Sequence, residues 1–115
     1  MSRAVAKATS PQDGYRSNLE RRYAQHLEAR RMAGQIKRWD FEPVNLRLAD
    51  RTFWMPDFRV IALDDTEEYH ETKGFMREDA NVKLKVAAKM HPYRFFLVRE
   101  VPKSKGGGWD LIEYP

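Results

Sequence analysis

The chain has 115 residues, 42% hydrophobic and 12% aromatic, which supports one modest core and a single domain. It contains no cysteine, so disulfides, zinc–thiolate centres and thiol catalysis are excluded. Lys and Arg number 21 against 17 Asp and Glu, a net charge of +4 that permits a nucleic-acid partner without specifying one.

No apolar run reaches the roughly 18 residues of a membrane span, and residues 1–7 lack the apolar stretch of a secretory signal, so a cytoplasmic protein is expected. Residues 1–14 mix Ser, Thr, Ala, Lys, Pro and Gly without an apolar period and read as a flexible basic arm. Ser17 then opens a helix on which Leu19, Tyr23 and Leu27 recur at helical spacing, with Arg30 or Met32 following less regularly, and Gly34 stops it. A strand over residues 36–41 runs into Pro43, which points to an edge position or a bend. Leu46 to Leu48 alternates briefly before a turn at Ala49-Asp50-Arg51. Residues 52–63 read as one long strand containing Pro56, turned at Asp64-Asp65 into a second strand over 67–74. The spacing predicts a helix over 78–90 with Val82, Val86, Ala87 and Met90 on its apolar face. Pro92 ends it. Residues 93–101 hold the continuous run Phe95-Phe96-Leu97-Val98, expected at the centre of a sheet. A loop over 103–108 leads to a last strand over 109–114. No internal repeat appears.

The pattern predicts an α/β domain over residues 15–115, a mixed sheet flanked by two helices in the order αβββαββ. The helix crossing from residues 67–74 to residues 93–101 makes a βαβ unit and favours parallel pairing of those strands.

One constellation carries chemistry. Pro56-Asp57 lies within one strand, and Glu71-Thr72-Lys73 lies near the end of the next. Glu71 and Lys73 are two apart and share a face. A two-residue turn at Asp64-Asp65 would put Asp57 opposite Thr72 on the wrong face. A loop of Asp64-Asp65-Thr66 pairs Leu63 with Glu67, Ile61 with Tyr69, Arg59 with Glu71 and Asp57 with Lys73, and this register is the expected one. A β-bulge near Pro56 would serve equally. Two carboxylates so close need a counter-charge, and hard oxygen ligands suit Mg²⁺ or Mn²⁺. Lys73 beside them can orient a nucleophile and offset developing negative charge.

Asp57, Glu71 and Lys73, set in this order of elements, resemble the signature of the PD-(D/E)XK nuclease superfamily. The stretches Tyr15-Arg16-Ser17-Asn18-Leu19-Glu20-Arg21-Arg22-Tyr23-Ala24 and His70-Glu71-Thr72-Lys73-Gly74-Phe75 are similar to a small family of phage and prophage endonucleases within it. The resemblance spans about residues 15–101. It implies a restriction-endonuclease-like core and a Mg²⁺- or Mn²⁺-dependent DNA endonuclease, phage-encoded and acting in the host cytoplasm. The absence of a recognition domain points to structure-directed cutting or nicking. In several branches a glutamate on the first helix completes the metal site, and Glu20 matches that position. Ser17-Asn18-Leu19-Glu20 is equally a capping box. Lys83 and Lys85 open the helix that in this fold skirts the scissile phosphate, with a solvated face as the competing reading.

Further phosphate contacts are expected from Arg16, from Arg3 and Lys7 in the arm, and from Lys103 and Lys105 in the glycine-rich loop. Glu42 reads as an edge-strand carboxylate before it reads as a ligand, and His70 should face away from the site. His26 reads as a solvated or partly packed residue, and His91, before Pro92 at a helix end, as a residue whose cation would favour the helix dipole. Trp39, Trp54 and Trp109 could stack on bases, though Trp54 reads as structural. Two-strand cutting would suit a homodimer with DNA between its sites. A non-catalytic DNA-binding or assembly subunit retaining the fold, or an RNA substrate, is the competing expectation.

Overall fold

Ser17 takes an extended conformation (φ −150°, ψ 161°), and its Oγ accepts the Glu20 N–H at 3.1 Å, opening helix α1 over Asn18–Met32. In this computed structural model, which describes residues 14–73 and 78–115, α1 buries Tyr23, Ala24 and Leu27. Gly34 reverses the chain at φ 76°, a conformation open to glycine at little cost. Strand β1, Ile36–Phe41, follows, then β2 (Leu46–Ala49), β3 (Thr52–Trp54), β4 (Phe58–Ala62) and β5 (Glu67–Thr72). Helix α2 spans Glu78–Met90, and β6 (Arg94–Glu100) and β7 (Trp109–Tyr114) complete the chain.

The order is thus αβββββαββ, not the expected αβββαββ. The single strand read over residues 52–63 is divided at Met55-Pro56-Asp57. Pro56 has no N–H to give a ladder, and the Asp57 N–H donates to the Glu71 side chain instead of a neighbouring strand. The freed β3 turns back on β2 as a separate two-stranded sheet. The main sheet has five strands in the order β1-β4-β5-β6-β7. Pairing is antiparallel at β1/β4, β4/β5 and β6/β7, and parallel at β5/β6, across the α2 connection as expected. The protein is therefore of mixed α/β class, and β1, which runs into Pro43, is an edge strand.

The β4/β5 register also departs from expectation. Phe58 pairs with His70, Arg59 with Tyr69, Val60 with Glu68 and Ile61 with Glu67. The loop is Leu63-Asp64-Asp65: the Asp65 N–H donates to the Ala62 carbonyl at 2.9 Å, and the Ala62 N–H to the Thr66 carbonyl at 2.9 Å. Asp65 takes the left-handed conformation (φ 72°) that closes a three-residue hairpin loop. Asp64 accepts the Thr66 N–H at 3.0 Å, which fixes the turn. The pairing slides by two residues, so strand parity is kept.

Two apolar clusters cover the sheet. Tyr23, Leu27, Ile36, Phe58, Val60 and Val98 form the one beneath α1. Leu46, Leu48, Trp54, Tyr69, Leu84, Ala87, Phe95 and Leu97 form the other, with α2 and the β2–β3 hairpin. Residues 95–98 of β6 are buried throughout, as a strand covered on both faces requires, although the middle strand of the sheet is β5 and β6 lies between it and the edge strand β7. The buried face of α2 is Ala80, Leu84 and Ala87; of the expected set only Ala87 is fully buried, because Val82 and Met90 are exposed and Val86 is only partly covered. Steps of four and three residues carry one stripe down the helix, and Val82 falls on the opposite side. Among the described residues no helix is long and apolar enough to cross a membrane.

Candidate active site

Asp57 sits one residue before β4, and Glu71 lies near the end of β5. Both are buried, with 4% and 8% of their surface exposed. The Asp57 Oδ2 accepts the Thr72 N–H at 2.9 Å and the Thr72 hydroxyl at 2.8 Å. In return, the Asp57 N–H donates to Glu71 Oε1 at 3.0 Å. Each strand end thus positions the carboxylate of the other. Lys73 donates its N–H to the Val98 carbonyl at 3.1 Å, extending the β5/β6 ladder by one step, and its Nζ lies 3.7 Å from Glu71 Oε2.

Glu20 joins this group from the first turn of α1, and it too is buried. Its carboxylate accepts the Arg16 N–H at 2.7 Å. Half of the expected capping box is present, since Ser17 caps the Glu20 N–H. The return bond goes to Arg16, one residue before the Ser17 N–H that the motif predicts. The Arg16 guanidinium reaches Glu20 Oε2 at 3.4 Å and Asp57 Oδ1 at 3.5 Å, and pairs with Glu42. Glu42 lies just past β1 at φ 48° and gives its N–H to the Asp57 carbonyl at 2.7 Å. It is more than the simple edge-strand carboxylate that its sequence position suggests. Arg16, expected at a phosphate, contacts the carboxylates of Glu20, Glu42 and Asp57.

Three carboxylates therefore share one arrangement, with one oxygen fixed by a backbone N–H and the other turned to a side-chain cation. For Asp57 these are Thr72 and Arg16, for Glu71 they are Asp57 and Lys73, and for Glu20 both come from Arg16. Burial nevertheless dominates the electrostatics. It raises the pKa of Asp57 above the ordinary carboxylate range, against the Thr72 bonds and the Arg16 and Lys73 charges. Burial and then the Asp57 charge push Glu71 up to about 7. Glu20 is raised by burial, with the Arg16 bond opposing and the Asp57 charge adding. The cluster holds more negative charge than its donors balance.

This donor set suits a hard divalent cation in its chemistry. Carboxylate oxygens of Asp57, Glu20 and Glu71 not bound to backbone would be the ligands. Among the described residues, however, no three His, Asp or Glu side chains converge into a ready metal cage.

The remaining candidates lie elsewhere. His70 is fully buried, its Nδ1 2.6 Å from the Tyr23 hydroxyl and its Nε2 2.9 Å from Glu68 Oε1, a packing role directed away from the carboxylates. His26 packs at a tilt near Tyr23 and Trp109, and His91 Nε2 lies 2.8 Å from the Arg47 carbonyl. The three tryptophans all have packing or hydrogen-bond duties. Trp39 donates to Glu28 at 2.9 Å, Trp54 packs on Phe95, and Trp109 packs on Tyr23. Lys83 and Lys85 are exposed on α2. Lys103 and Lys105 form an exposed 3-10 turn, Lys103–Lys105, beyond the end of β6 that adjoins Lys73. Arg3 and Lys7 of the arm, and Gly74 and Phe75 of the motif, lie outside the described residues.

Sequence reasoning did not find Thr72 as the anchor of Asp57, nor Arg16 as a counter-ion. The first was visible only as the residue between Glu71 and Lys73, and the second depends on contacts spanning 41 residues. Compared with family models, curated proteins and solved structures, the chain matches none. Its functional reading rests on its own residues.

Proposed function

We propose that the protein is a Mg²⁺- or Mn²⁺-dependent DNA endonuclease of the PD-(D/E)XK type, with a restriction-endonuclease-like core. The observation that carries this reading is the interlock of two buried carboxylates, Asp57 and Glu71, with Lys73 Nζ 3.7 Å from Glu71. A bound divalent cation would supply charge neutralisation at the phosphodiester and a more acidic water. Asp57, Glu71 and Glu20 are the residues to hold it. Thr72 fixes the aim of Asp57, and the Asp57 N–H does the same for Glu71. Lys73, tied by its backbone to β6, holds the attacking water by hydrogen bonding and offsets the charge that develops on the phosphoryl oxygens. Lys83, Lys85, Lys103 and Lys105 offer cations to the DNA backbone. Structure-directed cutting or nicking belongs to the same reading. A phage origin, action in the host cytoplasm and a homodimer on branched DNA belong to the same proposal.

One observation favours a second reading, a DNA-binding or assembly subunit without catalysis: the Arg16 guanidinium already stands among three carboxylates. One assay separates the two. Plasmid, single-stranded DNA, a four-way junction and RNA are incubated with and without Mg²⁺. Cleavage that needs the ion, stops with a chelator and vanishes in Asp57→Asn is expected. Binding to these substrates without cleavage under any divalent ion would favour the subunit.

A further inference from the structure

Arg16 lies just ahead of the Ser17 cap, its N–H held by Glu20. Its side chain is 61% exposed, yet its guanidinium contacts carboxylates from three separate segments. These are Glu20 on α1, Glu42 past β1 and Asp57 before β4. The oxygens it faces on Glu20 and Asp57 are those that no backbone N–H holds among the described residues. With Glu71 Oε2, which faces Lys73, they are oxygens left with capacity for an ion. A divalent cation at the usual distance of about 2.1 Å from them would meet the guanidinium as a like charge in the same space. Arginine is well suited to exchange here, because its fork binds carboxylates without insertion and its outer side is open to water.

We propose that Arg16 is an exchangeable counter-ion of the carboxylate cluster. It neutralises Glu20, Glu42 and Asp57 in the metal-free protein and leaves Glu20 and Asp57 when a divalent cation binds. The freed guanidinium then stands at the mouth of the site with two forked donors for a phosphate oxygen. This inference rests on the reading that these carboxylates hold a divalent cation. It adds that the ion enters by displacing a resident side chain, which lowers its apparent affinity by the fraction of molecules in which Arg16 is out.

The test uses the full chain, stripped of metal and free of DNA. Mn²⁺ is titrated calorimetrically into wild type, Arg16→Met, Asp57→Asn and Arg22→Met, the last removing a nearby α1 charge that pairs with Glu100. If Arg16 occupies the site nine times in ten, Arg16→Met binds Mn²⁺ about tenfold tighter than wild type, while Arg22→Met stays at the wild-type value. In wild type labelled with ¹⁵N-arginine, Mg²⁺ should move the Arg16 Nε–Hε signal towards that of a solvent-exposed guanidinium, and this measurement decides the matter if Arg16→Met fails to fold. Mn²⁺ binding that Asp57→Asn abolishes, with unchanged affinity in Arg16→Met and an unmoved Arg16 signal, overturns the exchange and leaves the metal site standing. Absence of Mn²⁺ binding in both wild type and Arg16→Met overturns the metal reading and the exchange with it.

Discussion

Thr72 holds Asp57 with both of its donors, its N–H at 2.9 Å and its hydroxyl at 2.8 Å from the same Oδ2 oxygen. The backbone donor survives any substitution but proline, so the hydroxyl can be removed alone. Thr72→Val keeps the side-chain shape and leaves Asp57 with one anchor fewer in a buried site. A hydrogen bond to a charged group contributes about 1.5–3 kcal/mol, and that loss is expected in urea unfolding. Misorienting a ligand through its supporting residue should slow cleavage by about 10- to 100-fold. Thr72→Ser, which restores the hydroxyl, should recover most of the rate. Equal rates in Thr72→Val and wild type would remove Thr72 from the site.

Glu71 gives the metal-free protein a pH dependence of definite sign. Its carboxyl is raised to about 7 by burial and by Asp57, so the folded state keeps a proton that the unfolded chain releases in the ordinary carboxylate range. Stability contributed by this group is present at low pH and falls as pH rises through about 7. His70 acts the other way, since burial lowers its pKa and its contribution is lost as pH drops below about 6.5. Glu71→Gln isolates the first effect while still accepting the Asp57 N–H. In the presence of chelator it should exceed wild type in melting temperature at pH 8, with the gap closing by pH 5. A gap that widens on acidification would reverse the assignment.

The buried stripe of α2 separates what the chain displays locally from what packing decides. Leu84 is fully buried and Val82 is 55% exposed, although both are apolar residues on one helix. Leu84→Ala should cost about 2–5 kcal/mol, and Val82→Ala should stay within about 0.5 kcal/mol. The limits of α2 were legible from Pro92 and the apolar spacing. Its face was not, because Ala80, Val82, Leu84, Val86, Ala87 and Met90 offer two overlapping stripes. Only the lysines at 83, 85 and 89 mark the wet side, and they flank both. The limits of α1, β1 and β7 were legible too, from the Ser17 cap, Gly34 and the glycine run before Trp109. The β4/β5 register was not, because Asp64-Asp65 serves two loop frames and the choice lies in the left-handed Asp65. Parity rescued the site, as a slip of two residues leaves each side chain on its face. The Arg16–Glu42 contact was beyond reach, since no local period links a pre-helix residue to a position past the next strand.

Removing one charge at a time separates binding from cutting. Asp57→Asn can still accept from Thr72 while losing the negative charge, so DNA affinity should hold or rise as cleavage falls by several orders of magnitude. Lys73→Ala removes the cation near Glu71 and should abolish most turnover with a milder loss of affinity. Both are read by parallel binding and single-turnover cleavage measurements. A wild-type rate in either variant would exclude that residue from the catalytic set.

Exposed lysines make the last prediction electrostatic. Lys103 and Lys105 stand on a turn closed by Gly106, Gly107 and Gly108, all at positive φ, beyond the end of β6 that adjoins Lys73. The N-terminus of α2, with Lys83 in its second turn, lies in sequence just after β5 and the site. DNA engaging the carboxylate cluster would come within reach of these cations, and each phosphate neutralised releases condensed counterions. With roughly four to six contacts in all, Arg3 and Lys7 of the arm included, log K against log salt should have a slope of about −4 to −5. Lys103→Ala with Lys105→Ala should make the slope shallower by about 2, and Lys83→Ala by about 1, with similar losses on every DNA sequence tested. Fluorescence anisotropy on catalytically silent Asp57→Asn, across a salt series, measures each slope without cleavage. A slope near zero would remove DNA as the partner and direct attention to a protein ligand. A steep slope unchanged in the lysine variants would move the DNA track to another face.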